Sequence, residues 1–124
     1  MNATTTIEAP TLTAQQVADQ IVTALEGGSN YWLERFDPKK GRERATESPW
    51  YADPKVWEGD YEIEVLADED SKTYSFTPDK LKAGLEWLAK NHPWRITEIV
   101  EETGDAETAD VFLQACVLGE IVYG

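Results

Sequence analysis

Between Ala109 and Leu118 the chain reads ADVFLQACVL, a stretch that is apolar almost all round when wound as a helix and is closed by Gly119. A helix of that kind has to be surrounded by the rest of its domain, so it is expected to be the central, buried element around which everything else packs. Asp105 or Thr108 can supply its N-cap. The chain has 124 residues, about the length of one domain and enough for one such core.

The other segments carry clearer periods. Thr13 is a candidate N-cap for a first helix, in which Val17, Ile21, Val22 and Leu25 recur at helical spacing until Gly27 and Gly28 stop it. These two glycines read as the C-cap and exit, where positive φ costs them little. YEIEVL at 61–66 alternates apolar with acidic residues, and KTYSF at 72–76 follows after the turn ADEDS. That is a β-hairpin. TPDKLKAGLEWLAKNHP at 77–93 places Thr77 at an N-cap, Pro78 at the first helical position and Asp79 in the first turn. Leu81, Leu85 and Leu88, with Trp87 beside them, form its inward stripe. WRITEIVEE at 94–102 fits a strand or a short helix, and EIVYG at the end fits a closing strand or an extended tail.

Residues 1–12 are Thr-rich and without period, so they read as a flexible lead-in. From Asn30 to Asp60 the chain carries Tyr31, Trp32, Phe36, Trp50, Tyr51 and Trp57 among three prolines. An ordered but irregular region pinned by aromatic rings is expected there, with a short strand or helical turn at each end. The result is one compact α+β domain over 13–124, about three helices on a small antiparallel sheet containing a central β-hairpin.

Charge limits the partners. Against 11 basic residues stand 24 acidic ones, a formal charge of -13, which disfavours direct binding to nucleic acid or anionic membrane. Cys116 is the only cysteine, so no intramolecular disulfide can form. MNATTTIEAPTLT has neither the basic start nor the apolar core of a signal peptide, and no apolar run approaches a membrane span. A cytoplasmic location is the expectation.

ALEGGSNYW at 24–32 and DAETADVFLQACVLGEIVYG at 105–124, with the acidic hairpin and its following helix between them, resemble a group of small proteins of tailed bacteriophages and prophages. The likeness spans 14–124. It implies a setting, an accessory protein made inside an infected bacterium for counter-defence or host takeover, but no activity and no catalytic residues.

The residues with chemical potential each have a plainer role. His92, the only histidine, precedes Pro93 at a helix end and suits that terminus structurally. Cys116 reads as a packed thiol. The turn DEDS at 68–71 holds oxygen ligands but lacks the spacing of a calcium loop, so no metal and no cofactor is expected. Asp105, Glu107 and Asp110 suit the start of a helix; an inward Asp110 would need a partner such as Arg35 or Arg95.

Two larger features remain. Glu58, Asp60, Glu62, Glu64, Asp68, Glu69 and Asp70 form one acidic run without a base, and Glu98, Glu101 and Glu102 begin a second that continues through Asp105, Glu107 and Asp110. Such stripes can imitate the phosphates of a nucleic acid and offer a basic host protein something to bind, although acidic faces also simply aid solubility. The segment RFDPKKGRER gathers Arg35, Lys39, Lys40, Arg42 and Arg44 into a loop near Tyr31, Trp32 and Trp50. Two readings compete: it clamps an anionic nucleotide, such as an immune signal, in a pocket that a second subunit completes, or it merely neutralises the acidic body. The preferred expectation is a non-enzymatic binder that inhibits a basic host factor. A nucleotide-binding module is the alternative, and a small carboxylate-dependent hydrolase stands behind both.

Overall fold

A computed structural model describes residues 11–67 and 72–124. The described residues form an α+β fold with four α-helices and a three-stranded antiparallel sheet. Helix α1, Ala14–Thr23, opens on a capping box in which the Gln16 N–H donates to Thr13 Oγ1 and the Thr13 N–H donates to Gln16 Oε1. It buries Val17, Ala18 and Ile21 and runs on into a π-helical turn, Ala24–Gly28. Neither glycine there has positive φ, contrary to the expectation from sequence. Gly28 serves a different purpose: a Cβ at this position would lie 2.5 Å from the Ala106 carbonyl oxygen, so only glycine lets the corner settle against the start of the last helix.

The sheet order is β1-β2-β3, formed by Leu33–Lys40, Glu62–Ala67 and Thr73–Phe76. The hairpin expected at 61–76 is β2 and β3, with Val65 opposite Tyr74 and Ile63 opposite Phe76. Its alternation is realised directly, since Ile63, Val65 and Ala67 are buried while Glu62 is exposed. The chemistry of the turn DEDS falls on residues outside the described ones.

Strand β1 is the strand expected at the start of the 30–60 region, longer than foreseen at eight residues. It pairs along its length with β2 despite Pro38, because it lies at the sheet edge and its register shifts twice, between Leu33 and Arg35 and between Pro38 and Lys40. An edge strand can spare the proline's missing N–H, and the bulges with Lys39 and Lys40 discourage pairing with another chain. Beyond it, 3₁₀ turns at Arg42–Arg44, Trp50–Ala52 and Pro54–Glu58 are pinned as expected by rings. Trp50 stacks on Phe36 with centroids 6.0 Å apart, and Trp57 meets Tyr61 edge-on at 4.9 Å. Polar ties complete the segment. Buried Asp53 accepts from the N–H groups of Thr46, Glu47 and Lys55, and Arg44 donates to the carbonyls of Lys55, Val56 and Asp60.

Helix α2, Pro78–Asn91, starts at Thr77 as expected, with Leu85 and Leu88 buried. The ambiguous stretch after it is helix α3, Pro93–Glu101, so the helices number four rather than three. The central helix α4, Ala106–Leu118, is capped by Asp105, and every residue from Thr108 to Val117 is buried. It touches α1, α2, α3, β3 and the π turn. Contact with α2 is close at Gly84, where a Cβ would fall 2.6 Å from both Cα and Sγ of Cys116. The last residues, 119–124, form no strand: the chain bends at Gly119 and Glu120 and continues as a tail without regular structure.

Candidate functional site

The corner after α1 delivers Ser29, Tyr31 and Trp32 to one acceptor, Asp110 on α4. Ser29 Oγ and Trp32 Nε1 donate to Asp110 Oδ1 at 2.8 and 2.7 Å, while the Tyr31 hydroxyl donates to Oδ2 at 2.5 Å. Gln114, one turn further along α4, donates to Oδ2 at 3.2 Å. Asp110 is 7% exposed, and Ser29 and Trp32 are fully buried. The inward Asp110 was expected to need Arg35 or Arg95. Four neutral donors meet it instead, which compensates desolvation without cancelling its charge. Arg95 is engaged elsewhere, at 3.0 Å from Glu98 and 2.7 Å from Glu107, and Arg35 lies beside Asp37.

Gln114 also holds the tail. Its Oε1 accepts from the N–H groups of Val122 and Tyr123, both at 2.8 Å, and its Nε2 donates to the Tyr123 carbonyl at 3.2 Å. Tyr123 lies over Trp32 with ring centroids 5.5 Å apart and planes 9° from parallel. One amide side chain thus replaces the strand partner that the tail lacks.

Beside this network opens a cleft of about 650 Å³. It is lined by the corner (Gly27, Gly28, Tyr31), by His92, Trp94 and Arg95 at the start of α3, by Glu107, Asp110, Val111 and Gln114 of α4, and by the tail. Tyr31 and Trp94 are each 53% exposed. His92 packs between Trp87 and Trp94, with ring centroids 5.3 and 5.0 Å away. Burial, and then the hydrogen bond to Asp110, push the Tyr31 hydroxyl up to about 12. Both oxygens of Asp110 are thus already engaged by neutral donors. Cys116 lies elsewhere, buried, with its thiol's ionisation pushed up by that burial.

Of the residues singled out as a nucleotide clamp, Tyr31 and Trp32 meet Asp110, and the basic ones lie on β1 and the turn after it. Trp32 is inside the core on Asp110, whereas Lys39 lies 3.9 Å from Glu64 and Lys40 2.5 Å from Asp60. Arg44 is spent on backbone carbonyls, Arg42 sits exposed in its 3₁₀ turn, and Trp50 stacks on Phe36. Only Tyr31 of that set lines the cleft. The acidic residues divide between separate elements. Glu58, Asp60, Glu62 and Glu64 lie in or before β2, Glu98 and Glu101 are on α3 and Glu102 caps it; Asp68, Glu69 and Asp70 lie outside the described residues. Glu58, Glu62, Glu101 and Glu102 are exposed and carry no ion pair among the described residues.

Sequence reasoning missed Ser29, Gln114 and Tyr123. A signal for Gln114 existed: it stands four residues after Asp110 on a helix otherwise apolar almost all round. Two polar groups at that spacing share a face, and both need partners when buried.

No protein-family model matches the chain, and neither a curated protein nor a solved structure matches it. The likeness to small tailed-phage proteins therefore rests on the quoted residues alone. No helix among the described residues is long and apolar enough to cross a membrane.

Proposed function

We propose that the protein is a non-enzymatic binder of a basic protein surface, and that in the phage setting its sequence suggests it occupies such a surface on a host factor. The observation that supports this reading most is where the charge lies. Of the acidic residues described, only Asp53 and Asp110 are buried, so most of the formal charge of -13 faces outward and can steer a basic partner. Glu58, Glu62, Glu101 and Glu102 add exposed carboxylates that form no ion pair among the described residues.

The test is capture of the tagged protein's partners from host lysate at low and at high salt. A variant with those four glutamates changed to glutamine serves as control. The expected result is a basic protein held by the native chain, released by salt and not held by the variant. Equal retention by the variant, or retention undiminished at high salt, would overturn the reading.

A further inference from the structure

The cleft between the Gly27–Tyr31 corner, α3 and α4 offers more than a charged surface can. We infer that it is the anchor site for an arginine side chain of the basic partner. The inference rests on the proposed function and narrows it to one place and one chemistry.

Three observations support it. The charged groups lining the cleft include two carboxylates, Asp110 and Glu107, against the one guanidinium of Arg95. That guanidinium is already engaged by Glu98 and Glu107, so an anionic ligand would have to break existing ion pairs, whereas a cation meets an excess of negative charge. Among the described residues Asp110 accepts only from neutral donors, so no cationic side chain pairs with it directly. Finally, Tyr31 and Trp94 each leave about half their surface open, 53%, while lining the same cleft. Exposed aromatic rings beside carboxylates suit a planar cation, which stacks on a ring and donates from its edge. Glu107 accepts from Arg95 through Oε1 at 2.7 Å, and with its side chain 72% exposed it can accept from a second guanidinium on its other oxygen. The occupant is thus a guanidinium on a flexible stem, its methylenes lying along Val111 and Ile121.

The test is titration of the full chain with a labelled oligo-arginine peptide at low salt, followed by anisotropy and by the ring resonances of Tyr31 and Trp94. Those resonances are expected to shift. Trp94→Ala should weaken binding about tenfold, Trp94→Phe should retain most of it, and Glu107→Gln should weaken it. Thermal unfolding of each variant establishes that it is folded. Binding unchanged in Trp94→Ala and Glu107→Gln, yet lost when Glu58, Glu62, Glu101 and Glu102 are neutralised, would overturn the anchor while leaving the acidic binder intact. No binding by the native chain would overturn both.

Discussion

Replacing Asp110 with alanine removes the acceptor on which the corner and α4 are joined. Two of the donors it strands, Ser29 Oγ and Trp32 Nε1, belong to fully buried residues. Tyr31 can turn to water, and Gln114 keeps Tyr123. At about 1–3 kcal/mol for each stranded buried donor, the expected loss is about 4 kcal/mol. That is a large part of the ~5–15 kcal/mol available to a domain. In urea, with a slope of about 2 kcal/mol per molar, the midpoint followed by circular dichroism should fall by about 2 M. Asp110→Asn keeps one oxygen for Ser29 and Trp32 but sets its Nδ2 against the Gln114 Nε2 donor and loses the charge assistance, so it should cost about 1–2 kcal/mol, less than alanine. If Asp110→Ala unfolds within about 0.5 kcal/mol of the native chain, the range of neutral surface substitutions, the network does not join the two ends of the chain as described.

Gly84→Ala should lower stability by about 1–3 kcal/mol in thermal unfolding, because its Cβ meets the Cys116 backbone and α2 must move off α4. Tyr61→Phe should raise stability by about 1 kcal/mol, since the buried Tyr61 hydroxyl has no hydrogen-bond partner among the described residues. Hydrogen bonds from the backbone N–H groups of Thr46 and Lys55 hold the Asp53 carboxyl below its ordinary range. Its contribution is therefore complete above the ordinary carboxylate value and is lost as pH falls toward the lowered one. The stability gap between the native chain and Asp53→Asn, measured by denaturant titration, should shrink across that acidic window.

The helical core and the hairpin were legible because their periods express one-sided or complete burial: ADVFLQACVL has no polar stripe to turn outward, and YEIEVL alternates as a half-buried strand must. The length of strand β1 was hidden because neither of its faces is fully buried and Pro38 argues against pairing, objections that an edge position and two bulges remove. Helix α3 was ambiguous because Ile96, Ile99 and Val100 satisfy either period, and packing against α2 and α4 decides it. The corner ALEGGSNYW was visible as a turn followed by aromatics. Its target was not, since Asp110 lies 78 residues from Trp32 in sequence and local pattern carries no such pairing. Composition warned correctly that an inward Asp110 must be compensated. It could not show that hydroxyl, indole and amide groups would do so instead of an arginine.

Binding of a basic protein by the outward-facing excess of carboxylate is tested by measuring the affinity of the captured partner across a salt series, for the native chain and for the variant carrying glutamine at positions 58, 62, 101 and 102. The account predicts affinity that falls steeply with salt for the native chain, and weaker, flatter binding for the variant. Equal affinities with the same shallow salt dependence would contradict it.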